Sequence, residues 1–345
     1  MRWNGIQLTT PGDYPSHMKH KTVVNRFLRV IAVPFLIILI CCLIGPFLIP
    51  IAPLEDTVVP ENLADGDSSF VTINNVTVHY KRAGSGKDTL ILLHGFAAST
   101  FTWHRVMTSL SQSYTVFAYD RTGFGYTSRP MPGEWSGDSP YGQRSQMEQL
   151  IALMDTLDIG KAILVGSSAG GITAALTAVN YPERIKALIL VAPAIFDGGP
   201  PGWLNLLMET PHMKRLGPVL LRKYYTKFFE YSRERTWHDS SQLTPALMEG
   251  YRKPLQAHNW DRALWEFAFA YESLPFEEQL GELQVPVVVI TGDDDRIVSP
   301  EASRHTAAVI PHAQLVVLPH AGHLPHEETP EAFLKAVHAF LRQVL

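Results

Sequence analysis

The chain has 345 residues, a hydrophobic content of 46% and a formal net charge of −4. This length accommodates one large, well-buried domain beside a shorter segment. Because the charge is close to balance and no basic patch is interleaved with aromatic residues, a nucleic-acid partner is not expected. The two cysteines, Cys41 and Cys42, both lie near the N-terminus. No disulfide can therefore form within the rest of the chain.

The first predicted element is an apolar helix near the N-terminus. The stretch from Val30 to Leu54 contains no charged residue. At 1.5 Å per helical residue, it is long enough to cross the hydrocarbon core of a bilayer, which is about 30 Å thick. Pro34, Pro46 and Pro50 interrupt it, so the helix is expected to begin before Val30 and to end near residues 44–49. We predict a transmembrane anchor at residues 30–52.

Charges on the two sides of this stretch predict its orientation. One acid, Asp13, precedes the stretch together with five basic residues, Arg2, Lys19, Lys21, Arg26 and Arg29. Five acids follow it, namely Glu55, Asp56, Glu61, Asp65 and Asp67. The positive-inside rule then predicts that residues 1–29 form a cytoplasmic tail and that the chain after the anchor lies on the exterior. A cleaved signal peptide is the alternative, but the run is long for one and lacks a convincing small-x-small cleavage site.

A linker at residues 53–67 is expected to lead into alternating strands and helices. Short apolar, β-branched runs predict strands, and apolar residues at helical spacing predict helices. The elements expected before residue 160 are a hairpin at 70–83, strands at 90–93 and 115–119, and helices at 101–110 and 143–157. Alternation of this kind is typical of a mostly parallel sheet with helices on both faces.

A serine motif follows the next strand. The run Leu164–Gly171 reads as a buried strand that ends in Gly-x-Ser-x-Gly and continues into a helix. Gly166 and Gly170 would let the strand and the helix approach closely, with the serine in a tight, strained turn between them. The spacing selects Ser168, because centring the motif on Ser167 would put a β-branched valine where a small residue is needed.

Two later strands end in an acid and a histidine. The apolar run at residues 285–290 is followed by Asp295, and the short run at 315–318 is followed by His323. Together with Ser168, three strands thus end in side chains that occur in the chain order serine, acid, histidine. This order is the one found in serine hydrolases built on a parallel sheet.

At this point the sequence resembles the α/β-hydrolase family, from about Phe70 to Leu345. Further matching pieces are a third strand and oxyanion loop at 90–96, an Asp-x-x-Gly-x-Gly-x-Ser turn at 120–128, an acid loop at 292–298 and a histidine loop at 322–331. The resemblance implies an α/β-hydrolase domain at residues 68–345. It also implies a helical cap inserted between strands 6 and 7, at about residues 196–284, a segment rich in large apolar side chains.

The resemblance and the chemistry together give the candidate residues their roles. Ser168 Oγ would attack an electrophilic carbonyl after His323 takes its proton. Asp295 would hold the histidine tautomer and stabilise the imidazolium. The backbone N–H groups of Phe96 and Ala169 would form the oxyanion hole. No cofactor and no metal are expected for this chemistry.

Other residues compete for two of these roles. Asp293 and Asp294 are close to the acid position, but only Asp295 has the Gly-x-x-Asp-x-x-Val spacing of the family. Asp197, after the sixth strand, is a minor alternative acid. His94 is expected to support the oxyanion loop without taking part in the reaction.

Three histidines at three-residue spacing raise the question of a metal site. They are His320, His323 and His326, and Gly322 and Pro325 lie between them. These two residues argue against a continuous helical face that would carry the three side chains. A metal site is therefore not expected here.

The resemblance leaves several functions open. Hydrolysis of carboxylic esters, with apolar acyl or acylglycerol substrates, is the leading hypothesis. Epoxide and halide chemistry is disfavoured, because family members that perform it use Asp where this chain has Ser168. Carbon–carbon bond hydrolases usually carry Asn before the nucleophile and Trp after the histidine, where this chain has Ser167 and Leu324. A cofactor-free perhydrolase and a slow-turnover receptor would also be compatible with the same three residues, and no feature indicates an oligomeric state.

Overall fold

The computed structural model describes residues 17–52, 54–196, 202–270 and 276–345. The chain forms two compact units, which meet in sequence between Ile51 and Ala52. The first unit contains one helix, α1 (His17–Leu48), and the second contains every other element described here.

Helix α1 agrees with the predicted apolar helix. It begins before Val30 and ends at Leu48, and it includes Pro34 and Pro46. Over residues 30–48 the mean hydropathy is 2.8 and none of the side chains is buried. In the part of the chain that the structure describes, this is the one helix long and apolar enough to cross a membrane. Residues 1–16 of the predicted cytoplasmic tail lie outside the described residues.

The second unit is built on a single sheet. Its strands are β1 (Ser68–Ile73), β2 (Val76–Ala83), β3 (Thr89–Leu93), β4 (Thr115–Tyr119), β5 (Ala162–Ser167), β6 (Ile185–Val191), β7 (Val287–Gly292) and β8 (Gln314–Leu318). They lie in the order β1-β2-β4-β3-β5-β6-β7-β8. Strand β2 pairs antiparallel with β1 and β4, and all other neighbours are parallel. The predicted mostly parallel sheet is therefore confirmed.

Helices connect the strands. They are α2 (Met107–Ser111), α3 (Gln143–Thr156), α4 (Ala169–Asn180), α5 (Gly202–Met208), α6 (Pro211–Thr236), α7 (Pro245–Arg252), α8 (Trp260–Phe269), α9 (Phe276–Gly281), α10 (Pro300–Val309), α11 (Pro325–Glu328) and α12 (Pro330–Val344). We refer to α5–α9, which follow β6 and precede β7, as the helical insertion. Its described residues contain no strand, as the sequence predicts.

Apolar side chains cover both faces of the sheet. Leu90 and Leu92 of β3 pack on one face in a cluster that includes Phe333 of α12. Ile91 and Leu93 point to the other face and pack with residues of α3 and α4. Parallel strands buried on both faces read as near-continuous apolar runs, which is why the sequence pattern predicts them. The carboxyl ends of these strands meet at one edge of the sheet.

The helix predicted at residues 101–110 is wrong as a single element. The structure has a 3₁₀ turn at Thr100–Trp103 followed by the short helix Met107–Ser111. The Thr100 N–H donates to Asp120 Oδ1 at 2.6 Å, which ties the start of this segment to the loop after β4. This bond joins residues that are 20 positions apart and holds the first turn, so the local hydrophobic pattern could not predict it.

The segment predicted as a linker, residues 53–67, makes specific contacts with the helical insertion. The Val58 N–H donates to Gln256 O at 2.9 Å, and Val58 O accepts from the His258 N–H at 2.9 Å. Leu63, in a 3₁₀ turn within the segment, is buried. This part of the chain is therefore packed against the rest of the second unit.

Candidate active site

Ser168 sits at the corner between β5 and α4. Its backbone has φ 52° and ψ −121°, a conformation that side-chain-bearing residues rarely adopt. The Ser168 N–H donates to Val191 O at 2.8 Å, and Ser168 O accepts from the Gly171 N–H at 2.9 Å. These backbone bonds hold the strained turn in place. The strained turn predicted from the motif is therefore present.

Glycines make the close packing around this corner possible. A Cβ atom at Gly166 would lie 2.6 Å from Gly170 O, and one at Gly170 would collide with the backbone of Leu93. A Cβ atom at Gly95 would lie 3.1 Å from the Ser168 Cβ. The loop after β3 thus passes directly beside the candidate nucleophile.

The structure distinguishes Ser168 from Ser167. Ser167 is the last residue of β5 and is only 1% exposed. Ser168 is half-buried, and both serines border a cavity of about 200 Å³, here named the Ser168 cavity. His323 and Phe96 line the same cavity. The two residues chosen from the motifs as nucleophile and base therefore face one space.

His323 and Asp295 meet beyond the ends of β8 and β7. His323 Nδ1 lies 2.8 Å from Asp295 Oδ2, and both side chains are almost fully buried. Asp295 Oδ1 accepts from the backbone N–H groups of Ile297 and Val298 at 2.8 and 3.0 Å. The carboxylate is therefore fixed on one side by its own loop and offers its other oxygen to the imidazole.

The neighbouring acids make other contacts. Asp294 Oδ2 pairs with His238 Nδ1 at 2.8 Å and with Arg296 Nη2 at 2.5 Å on the surface. Asp293 Oδ1 accepts from the Ala321 N–H at 3.4 Å. Within the described residues, only Asp295 pairs with His323. Asp197 lies outside the described residues.

The loop after β3 carries Phe96 and is fixed by His94. His94 accepts from the Arg121 N–H through Nε2 at 3.1 Å, so its Nδ1 carries the proton and donates to Gly95 O at 2.8 Å. Burial lowers the pKa of His94 to about 3, so the ring is neutral at physiological pH. Phe96 and Ala169 both border a second cavity of about 280 Å³, here named the Arg121 cavity.

The three histidines that follow β8 have separate environments. His320 is exposed in a turn with φ 55°. His326 is buried, with Nε2 3.0 Å from Thr102 Oγ1, and burial lowers its pKa to about 3. His323 alone contacts Asp295 in the described part of the chain.

A buried polar cluster beside His323 was not predicted from the sequence. Glu327 accepts hydrogen bonds from Thr102 Oγ1 and from the Tyr251 hydroxyl of the helical insertion. Arg105 Nη1 donates to Glu327 O at 2.9 Å. From the sequence, Glu327 is only an acidic residue near the start of a helix. Its burial depends on Tyr251, which is distant in sequence, so a local motif does not predict it.

We expect Glu327 to make the stability of the protein depend on pH. Burial raises the pKa of Glu327 to about 7 from its ordinary value of 4.5, so the folded state binds more protons than the unfolded state between these values. Stability therefore falls as the pH rises through this window, by roughly 3 kcal/mol at most. Glu327→Gln should flatten the profile of Tm against pH between pH 5 and pH 8. The exposed Glu331→Gln serves as control, and an equally steep profile in Glu327→Gln would contradict the assignment.

Comparison with known proteins identifies the family. A family model of the alpha/beta hydrolase fold matches residues 88–330. The chain therefore belongs to the alpha/beta-hydrolase fold family, and it is a hydrolase.

Similar proteins have several activities. A 2-hydroxy-6-oxononadienedioate/2-hydroxy-6-oxononatrienedioate hydrolase of Burkholderia vietnamiensis is 30% identical over 315 residues, which cover 84% of this chain and 100% of that protein. A 3-oxoadipate enol-lactonase of Acinetobacter baylyi is 26% identical over 277 residues, which cover 79% and 96%. The crystal structure of a membrane phospholipase A has a TM-score of 0.65 and 24% identity, with 95% of this chain and 99% of that chain covered.

Proposed function

We propose that this protein is a serine hydrolase that cleaves carboxylic esters through an acyl-enzyme intermediate. The observation that carries the proposal is that Ser168 and His323 line one cavity, while Asp295 holds the far side of the imidazole. A hydroxyl becomes an effective nucleophile only when a base removes its proton in the transition state. The imidazole is the group in this cavity best suited to that transfer near neutral pH.

The reaction proceeds in two halves. Ser168 Oγ attacks the ester carbonyl carbon while its proton passes to His323 Nε2, since Nδ1 is engaged with Asp295. The carbonyl oxygen becomes an oxyanion that accepts from the N–H groups of Phe96 and Ala169. The imidazolium then protonates the departing alkoxide, which leaves the acyl group on Ser168. In the second half, His323 takes a proton from a water molecule, which attacks the acyl-enzyme carbonyl. The carboxylic acid is released and Ser168 regains its proton.

The walls of the Ser168 cavity support an apolar acyl group. Phe96, Ala97, Ile297 and Leu324 contribute apolar surface. Tyr225, which comes from the helical insertion, also lines the cavity. We propose on this basis that residues of about 196–284 act as the cap of the enzyme and select its substrate.

Carbon–carbon bond hydrolysis is the second candidate. The relative from Burkholderia vietnamiensis, at 30% identity over its whole length, favours it. Against it stand Ser167 before the candidate nucleophile and Leu324 after the histidine, where such enzymes usually carry Asn and Trp. Leu324 borders the Ser168 cavity and offers no hydrogen-bond donor to a substrate.

Ester hydrolysis and carbon–carbon bond hydrolysis are distinguished by measuring turnover on a substrate of each class. The full-length protein in detergent is given p-nitrophenyl esters of graded acyl length and, separately, a 2-hydroxy-6-oxohexa-2,4-dienoate. We expect many turnovers of the esters and covalent labelling by a fluorophosphonate. A higher kcat/KM on the dienoate would favour the second candidate. A single slow cycle on both would indicate a binding protein.

We propose that α1 anchors this hydrolase in a membrane. The stretch 30–48 is long and apolar enough to span a bilayer, with basic residues before it and acids after it. This arrangement supports a cytoplasmic tail at residues 1–29, an anchor at 30–52 and the catalytic domain at 68–345 on the exterior side. The likeness to the membrane phospholipase A structure extends over 95% of this chain, which is consistent with a similar N-terminal extension.

Removal of residues 1–51 is expected to release an active, soluble protein. The second compact unit begins at Ala52, so the truncation removes none of its residues. A longer truncation, of residues 1–67, removes the hydrogen bonds of Val58 and the buried Leu63 and should lower Tm by several degrees. The measurement is partition between membrane and supernatant, together with ester turnover and Tm of the two variants. An unfolded 52–345 protein would contradict the anchor assignment.

A further inference from the structure

Arg121 is a buried cation for which the structure shows no anionic partner among the described residues. It follows β4 and is 1% exposed. In the described part of the chain, its Nε and Nη2 atoms are buried and have no hydrogen-bond partner. Its guanidinium lies 5.4 Å from the centre of the Phe124 ring and 5.1 Å from that of Phe267. The guanidinium is therefore flanked by two aromatic rings, and two of its nitrogens lack a hydrogen-bond acceptor among the residues described.

The acid next to it in sequence is already engaged. Asp120 Oδ1 accepts from the Thr100 N–H at 2.6 Å. Asp120 Oδ2 accepts from the Tyr126 N–H at 2.8 Å and lies 2.6 Å from His79 Nδ1. The carboxylate thus has its own partners and leaves the donors of Arg121 unmet.

Arg121 keeps its charge despite its burial. Burial lowers the pKa of Arg121 to about 10, which is still far above physiological pH. A buried ion without a partner destabilises the folded state, and attraction to two aromatic rings offsets only part of that cost. The second buried arginine nearby, Arg129, also has an Nε that is unpartnered in the described part of the chain, but its two terminal nitrogens donate to the carbonyl oxygens of Thr127 and Gly125. Hydrogen bonds to carbonyl oxygens therefore account for the burial of the Arg129 charge, whereas no such bonds within the described ranges account for the burial of the Arg121 charge.

Arg121 lines a cavity that adjoins the candidate active site. The Arg121 cavity, of about 280 Å³, is also lined by Phe96 and Ala169, the two residues proposed to form the oxyanion hole. Arg121 is the one charged residue among those described that line it. The side-chain oxygens of Gln143 and Gln146, on the same wall, are buried without partners as well. The cavity therefore offers an uncompensated positive charge and two amide groups in an apolar surrounding.

We propose that Arg121 binds a singly charged anionic group of the substrate, a carboxylate or a phosphodiester, while the ester bond lies at Ser168. This inference rests on the proposed hydrolase function and adds a charge requirement to it. A guanidinium presents paired N–H donors that match two oxygens of such a group. The amide groups of Gln143 and Gln146 would accept from a hydroxyl or N–H of the same ligand. The ligand would supply the charge that the protein interior lacks.

The catalytic test compares two esters of equal acyl length. They are p-nitrophenyl hexanoate and the p-nitrophenyl monoester of adipate, which carries a terminal carboxylate. The measured quantity is the ratio of kcat/KM for the charged ester to that for the neutral one. Arg121→Met should lower this ratio by roughly 10- to 100-fold, and Arg121→Lys by less, because a lysine keeps the charge and loses the paired donors. Arg129→Met is the matched control and should leave the ratio unchanged.

A binding test keeps the inference separate from the proposed function. Full-length Ser168→Ala in detergent is titrated with hexanoate, with diethyl phosphate and with neutral hexanol, and the shift in Tm is recorded. We expect stabilisation by at least one of the two anions, which also identifies the preferred group, and loss of that shift in Ser168→Ala/Arg121→Met. This result can be obtained even if no ester is turned over, a case in which the proposed function alone would fail.

The ligand-free stabilities decide whether Arg121 is structural. If its charge is kept for a ligand, Arg121→Met should leave Tm unchanged or raise it, because a buried unpaired ion is removed. Arg129→Met should lower Tm, because bonded groups lose their partner. A drop in Arg121→Met as large as that in Arg129→Met would mean that the chain itself supplies a partner, and the inference would be overturned. The same holds if neither anion stabilises Ser168→Ala, or if the ester ratio is unaffected by Arg121→Met.

Discussion

Replacement of Ser168 by alanine is expected to lower kcat/KM for p-nitrophenyl esters by roughly 10⁴- to 10⁶-fold. The substitution removes the atom that would form the acyl-enzyme, so His323 and Asp295 keep their hydrogen bond but have no nucleophile to activate. Residual hydrolysis by water would depend on the oxyanion donors and on binding alone. The fold should be preserved, because the backbone bonds of Ser168 remain available to alanine.

Ser167 provides the matched control for this experiment. It is adjacent in sequence, carries the same hydroxyl and is buried at the end of β5. Ser167→Ala should keep fluorophosphonate labelling and most of the ester turnover, whereas Ser168→Ala should lose both with an unchanged Tm. Labelling that survives in Ser168→Ala and disappears in Ser167→Ala would move the nucleophile by one residue. Such a result would also conflict with the burial of Ser167, which is only 1% exposed.

The sheet could be predicted from the sequence because its strands are buried on both faces. The runs at 90–93 and 115–119 lie within one residue of β3 and β4, since uninterrupted apolar residues leave few other interpretations. The edge of the sheet at which Ser168, Asp295 and His323 gather follows from the same pattern. Parallel strands present their carboxyl ends on one side, so residues just after those strands come together.

Features that depend on contacts between distant segments could not be predicted. The 3₁₀ turn at Thr100–Trp103 depends on Asp120, and the burial of Glu327 depends on Tyr251. Arg121 was visible in the sequence only as one residue of a family turn. Its unmet donors and its cavity result from the packing of α3, α4 and α8 around it, which no local pattern encodes.

Asp295→Asn is expected to reduce kcat/KM by about 10⁴-fold while the protein remains folded. Asp295 Oδ1 accepts from the N–H groups of Ile297 and Val298, so the amide oxygen of an asparagine should keep this position. The amide nitrogen would then face His323 Nδ1, at the place where Oδ2 now lies 2.8 Å away. An N–H donor there favours the tautomer with its proton on Nε2. That tautomer cannot accept the proton of Ser168.

The surface acid Asp294 is the control that separates this tautomer effect from a general loss of charge. It lies one residue away and pairs with His238 and Arg296 instead of the candidate base. Asp294→Asn should therefore change kcat/KM by less than about threefold, since exposed ion pairs contribute little. If Asp295→Asn were equally mild, His323 would not need an acceptor at Nδ1 to work as a base. The proton would then have to leave Ser168 by another route, and the role assigned to this carboxylate would be wrong.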